Sequence, residues 1–165
     1  MASMADDSIE TPAKPGTYRP GVVIGARVAL AHITETAREP CYAITFRHPP
    51  LSDRTLAFTS RGRDQLIDAL GSAPVGHLVT RVAGSDMAAF DAGMAAFQQA
   101  SSGMGSAANA GNINDYATRS MVAEVSASPT SNDLVLVSGR LHEGGTFDII
   151  LPPHVVPVLI GMLLD

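Results

Sequence analysis

The stretch TLAFTSRGRDQLIDAL, from Thr55 to Leu70, lies without a gap over DIILPPHVVPVLIGML, from Asp148 to Leu163. Leu56, Phe58, Leu66, Ile67 and Leu70 fall on Ile149, Leu151, Leu159, Ile160 and Leu163. In each copy apolar residues first alternate, as on a strand with one buried face, and then recur at helical spacing. Ser60 is placed to cap the first helix, its hydroxyl accepting from an orphan amide one turn on. The second copy has Pro152 and Pro153 at the same place. Proline removes a backbone donor and fixes φ, which suits a strand end followed by a first helical turn. The sequence therefore predicts a strand over 147–151 and a buried helix over roughly 153–164, with Pro157 near the first turn.

The correspondence continues upstream. RVALAHIT and CYAITFRH precede the first copy, MVAEVSAS and DLVLVSGR the second, each with partial apolar alternation at the strand period. Order, spacing and helix face agree across the copies, which is the consistency between levels expected of a folded repeat. The expected fold is α+β, with two tandem strand-strand-strand-helix units built on antiparallel sheets and a central Ala/Met-rich helix. The expected organisation is a flexible arm over 1–20, a first unit over 21–72, the central helix and a Gly/Ser/Ala-rich linker over 73–118, and a second unit over 119–165.

The apolar run from Ile149 to Leu164 raises the question of a membrane anchor. A spanning helix needs about 20 apolar residues, and this run is shorter, is interrupted by three prolines and His154, and has no basic cluster beside it. It is expected to be a core helix, not a membrane span. With 165 residues and 45% hydrophobic content, the chain can bury a sizeable core, and with no tryptophan that core must rest on Leu, Val, Ile, Ala and Met. Cys41 is the single cysteine, so no intramolecular disulfide forms. MASMADDSIE does not read as a secretory signal, and the expected location is a reducing cytoplasm.

Between the two units, SDMAAFDAGMAAFQQ places Met87, Phe90, Met94 and Phe97 on one narrow apolar seam of an alanine-rich helix, with Ser85 and Asp86 at its start. The plain expectation is that the seam packs over a sheet, since Gly93 weakens the helix and the seam is short. The sharper one is that these four residues pair with another subunit. The following ASSGMGSAANAGNIND reads as a flexible loop or linker, a type of segment that in a compact domain is more often functional than idle.

Charge is distributed unevenly. From Thr11 to Arg63 the basic residues Lys14, Arg19, Arg27, Arg38, Arg47, Arg54, Arg61 and Arg63 stand against only Glu35, Glu39 and Asp53, although the whole chain carries a formal net charge of -5. Arg61 and Arg63 fall in the first turn of the first unit's helix, where the macrodipole disfavours cations unless an anion is also bound. Arg47 and Arg54 bracket the loop HPPLSD. These four arginines are the candidate site for an anionic partner, with helix-start amides as further donors. The competing expectation is an ordinary solvated face.

Two units of three strands and a helix resemble the layout of the PUR-repeat and Whirly class of single-stranded nucleic-acid-binding proteins. The resemblance is one of layout over both units, and it implies curved sheets backed by helices. Such a binder needs a positive groove and aromatic stacking platforms. Tyr42, Phe46 and Phe58 are the aromatics of the first unit's strands and Phe147 that of the second. The acidic overall balance works against a general nucleic-acid binder.

No catalytic motif emerges. His32, His48, His77, His142 and His154 form no close pair at metal-ligand spacing, and neither HExxH nor CxxC occurs. GMGSAANAG lacks both the GxGxxG spacing and the GK[ST] ending, and no G-x-S-x-G elbow is present. The expectation is a non-catalytic binding or assembly protein without a cofactor or metal. It acts through homo-oligomerisation and protein–protein contacts, with open sheet edges as one driving force. Its partner is itself or another protein and not a membrane. Single-stranded nucleic acid, held by a basic face of the first unit, is the alternative.

Overall fold

The computed structural model describes residues 21–32, 40–104 and 121–164. The arm over 1–20 and the linker over 105–118 lie outside the described residues. In chain order the elements are β1 (Gly25–His32), β2 (Pro40–Arg47), β3 (Arg54–Thr59), α1 (Ser60–Leu70), α2 (Ala73–Ser85), α3 (Met87–Ser102), β4 (Val122–Pro129), β5 (Val135–Leu141), β6 (Thr146–Leu151) and α4 (Val155–Leu164). The strands form two antiparallel three-stranded sheets, ordered β1-β2-β3 and β4-β5-β6. The expected α+β architecture of two similar strand-strand-strand-helix units is what the chain adopts.

Register puts the apolar positions of neighbouring strands side by side. Val28 faces Ile44 and Ile44 faces Leu56 in the first sheet, while Val137 faces Ile149 and Val135 faces Leu151 in the second. Leu56, Phe58, Leu66 and Leu70, and their counterparts Ile149, Leu151, Leu159 and Leu163, are all buried in one hydrophobic cluster. Each such side chain is worth about 1.5–3 kcal/mol of transfer free energy. The two units thus share a core instead of owning one each.

The sharing is reciprocal. Helix α1 packs against β4 of the other unit, and α4 packs against α1 and reaches β1. Two parallel bridges join the sheets, Val22 to Ile150 and Ala57 to Met121. Ala57 and Ile150 occupy the same position in the aligned copies. The expectation of open edges is therefore met within the chain: β3 and β6 each take a bridge from the other unit. The edge of β1 is met by α3, whose Ser101 hydroxyl accepts from the Ala26 amide at 3.0 Å.

Local chemistry sets the turns. Thr59, not Ser60, caps α1, its hydroxyl accepting from the Gly62 amide at 3.0 Å. Asp86 caps α3 by accepting from the Ala89 amide at 3.1 Å. Helix α4 begins at Val155, after a turn in which the amides of Val155 and Val156 donate to Pro152 and Pro153 carbonyls. At Gly139 on β5 a β-carbon would run into the Glu124 carbonyl and come within 2.8 Å of the Phe147 ring, beside the irregularity between Val122 and Glu124 on β4. That crowding admits only glycine.

One element lies beyond the sequence expectation. Helix α2 follows directly on α1, with Ser72 before it and a proline in its first turn. Val75 and Leu78 are buried in the shared core, with Val79 and Val82 packed beside them.

Candidate functional site

The four arginines do not converge. Arg47 ends β2 and Arg54, paired with Phe46, begins β3, whereas Arg61 and Arg63 follow the far end of β3. The six-residue β3, about 20 Å long, lies between them. Arg47 is already engaged, its guanidinium donating to Asp53 at 3.2 and 3.4 Å. Arg63 is an internal strut. It lies over the Tyr42 ring at 4.7 Å, donates to the Tyr42 hydroxyl at 3.0 Å and to the Leu163 carbonyl at 3.4 Å, and pairs with Asp64. A cation at the last turn of α4 complements that helix's negative end. Arg61 is exposed and Arg54 half-buried. The single anion site expected from these residues is absent because a strand separates the pairs and because Arg47 and Arg63 have protein partners.

The aromatic rings face inward. Phe46, Phe58 and Phe147 are buried and belong to the shared core, and Tyr42 is half-buried under Arg63. Among the described residues the strands therefore present no exposed aromatic platform.

The Met/Phe seam divides. Phe90 and Phe97 are buried, Met94 is half-buried, and Met87 is 57% exposed. Helix α3 packs on β1, α2 and α4, so the seam serves mainly to seat it on the molecule, as the plain expectation held. Gly93 has a role that its low helix propensity conceals, since it receives the imidazole of His154.

Two hollows flank α3. A smaller one, about 310 Å³, lies among Arg81, Asp86, Phe90, Asp133 and His154. Asp133, in the left-handed conformation at φ 61°, takes two bonds from Arg81, the shorter at 2.8 Å. That guanidinium holds the Asp133 carboxyl below its ordinary value. Burial lowers the affinity of His154 for a proton. The larger hollow is a groove of about 740 Å³ between β1, the C-terminal half of α3, and α4, with Gln98, Ser101 and Ser102 on its α3 side among otherwise mostly apolar residues. Of its lining residues the sequence offers only Met94 as a binding candidate, Arg27 counting among the dispersed basic residues and Pro157 as a helix-start proline. Arg27 is the wall's one charged residue, and its Nε is buried without a hydrogen-bond partner.

The other reactive groups are spread out. Cys41 is buried with Ala57 against Met121, and desolvation raises its thiol pKa despite a backbone hydrogen bond at Phe58. His48 is buried with Nε2 unpartnered, and its pKa is lowered by burial and by Arg54, against the opposing pull of Asp53. Among the described residues no three His, Cys, Asp or Glu side chains gather as for a metal ion, and no helix is long and apolar enough to cross a membrane. No family model, curated protein or solved structure matches the chain.

Proposed function

We propose that this chain is a non-catalytic binding or assembly protein that works through self-association and contacts with other proteins. The observation that carries this reading is the apolar end of the first sheet. Ile24 and Leu51 are 47% and 51% exposed there. Backbone bonds tie their segments together: the Ile24 amide donates to the Arg47 carbonyl at 2.8 Å, and the Gly21 amide to the Pro49 carbonyl at 3.3 Å. The exposed Arg47–Asp53 ion pair stands beside them. An apolar centre with a charged rim is the anatomy of protein–protein contact surfaces.

Sedimentation velocity over a wide concentration range tests the reading. The native chain should sediment as a concentration-dependent oligomer, and Ile24→Ser with Leu51→Ser should shift it toward the monomer while the melting temperature holds. A strict monomer at every concentration overturns the proposal. The nucleic-acid alternative lacks an exposed ring among the described strands, and a low-salt gel shift with single strands should give no complex.

A further inference from the structure

The space between β1 and α4 is where the two halves of the molecule depart from one another. Helix α1 lies along β4, but α4 meets β1 over a shorter contact, with α3 alongside. What is left between them is the 740 Å³ groove, within the roughly 300–1,000 Å³ range of small-molecule sites. Val28, Met94, Val158 and Met162 give it apolar walls. Gly161 also lines it, and a β-carbon there would meet no heavy atom within 4 Å, so the groove is open beside α4.

Arg27 supplies the polar end. None of the ion pairs among the described residues includes it. One terminal nitrogen makes a single long bond, 3.3 Å, to the Met104 carbonyl, and Nε has no acceptor. A half-buried guanidinium that no carboxylate among these residues neutralises has an unmet preference for an anion, and one that reached its terminal nitrogens would be held by charge-assisted bonds. One cation, with no other charge on the lining, matches one negative charge. A dianionic phosphate would leave charge uncompensated.

We propose that this groove binds a free, medium-length aliphatic monocarboxylate, its chain along Val28, Met94, Val158 and Met162 and its carboxylate accepting from the terminal guanidinium nitrogens of Arg27. The site is independent of the apolar end formed by Ile24 and Leu51, so it stands or falls apart from self-association.

Calorimetric titration of the full chain with octanoate and with octan-1-ol, below micellar concentrations, tests it. Octanoate should bind saturably, and octan-1-ol about tenfold or more weakly, as expected for losing a hydrogen bond to a charged group. Arg27→Met should bring octanoate down to the level of the alcohol. Gly161→Leu, which places a side chain in the open groove and improves helix propensity, should weaken both ligands about tenfold with an unchanged or raised melting temperature. Absent octanoate binding, equal affinity for acid and alcohol in the native chain, or full octanoate affinity in a folded Arg27→Met chain each overturns the proposal. If Gly161→Leu dissociates an oligomer while octanoate fails to bind, the groove holds a protein segment and the proposal is likewise overturned.

Discussion

Gly93 in α3 lies so close to His154 that a β-carbon at residue 93 would stand 2.7 Å from Nδ1 of the imidazole. The helix thus accepts a residue that weakens it, because the turn before α4 must seat a ring there. Gly93→Ala should lower stability by about 1–3 kcal/mol through overpacking. In a His154→Ala background the same change should instead gain about 0.5–1 kcal/mol from helix propensity. Urea unfolding of the four chains of this cycle checks the reversal of sign.

Acid should destabilise the protein through two histidines. His48 and His154 both have lowered pKa values, His48 through burial and Arg54, His154 through burial. Below the ordinary histidine value of about 6.5 the unfolded chain takes up protons that the folded chain still refuses. The stability held above that pH is lost as pH falls below it and on through the lower folded values. The urea midpoint should be flat above pH 7 and decline between about pH 6.5 and 5, and His48→Gln with His154→Gln should flatten that decline.

Gly139→Ala should be among the most damaging single changes in the chain. The added carbon meets a strand carbonyl on one side and the buried Phe147 ring on the other, so neither a rotamer change nor a small backbone shift relieves it. A loss of about 3 kcal/mol or more is expected, read as a fall in the denaturation midpoint. Gly161→Ala, with open space at its β-carbon, is the control that should not lose stability.

Arg63 should behave as a structural residue. Arg63→Lys loses the planar contact with Tyr42 and the forked reach to the Tyr42 hydroxyl and Leu163 carbonyl, and should cost about 1–2 kcal/mol. Arg61→Lys, at an exposed position, should change stability by less than about 0.5 kcal/mol. Thermal unfolding of the two variants separates a strut from a surface charge.

The aligned copies were legible because burial on a strand and on a helix leaves different periods in the sequence. Leu56, Leu66 and Leu70, with Ile149, Leu159 and Leu163, fall on the repeated apolar face, and all are buried. Helix α2 is also written in the sequence, in Ser72, Pro74 and the helically spaced Val75, Leu78, Val79 and Val82, but it has no counterpart in the repeat that would set it apart from the segment between the units. The N-cap fell one residue early, on Thr59, because either hydroxyl residue satisfies the sequence pattern. Grouping the arginines failed for a physical reason: proximity along the chain counts for little when a whole strand runs between two pairs. The groove was not legible at all. Its walls come from residues 26–28, 94–102 and 157–162, and nothing local distinguishes Arg27 from any surface arginine on a strand.

The traded helices and the two parallel bridges carry a further implication. A half-length chain bearing one unit would expose the apolar side of its helix and leave its last strand without the bridge, and only a second half-length chain would supply both. Covalent tethering turns that encounter into an intramolecular one, so that docking no longer depends on the concentration of chains. The intact polypeptide therefore keeps its two halves docked at dilutions where separate halves would drift apart.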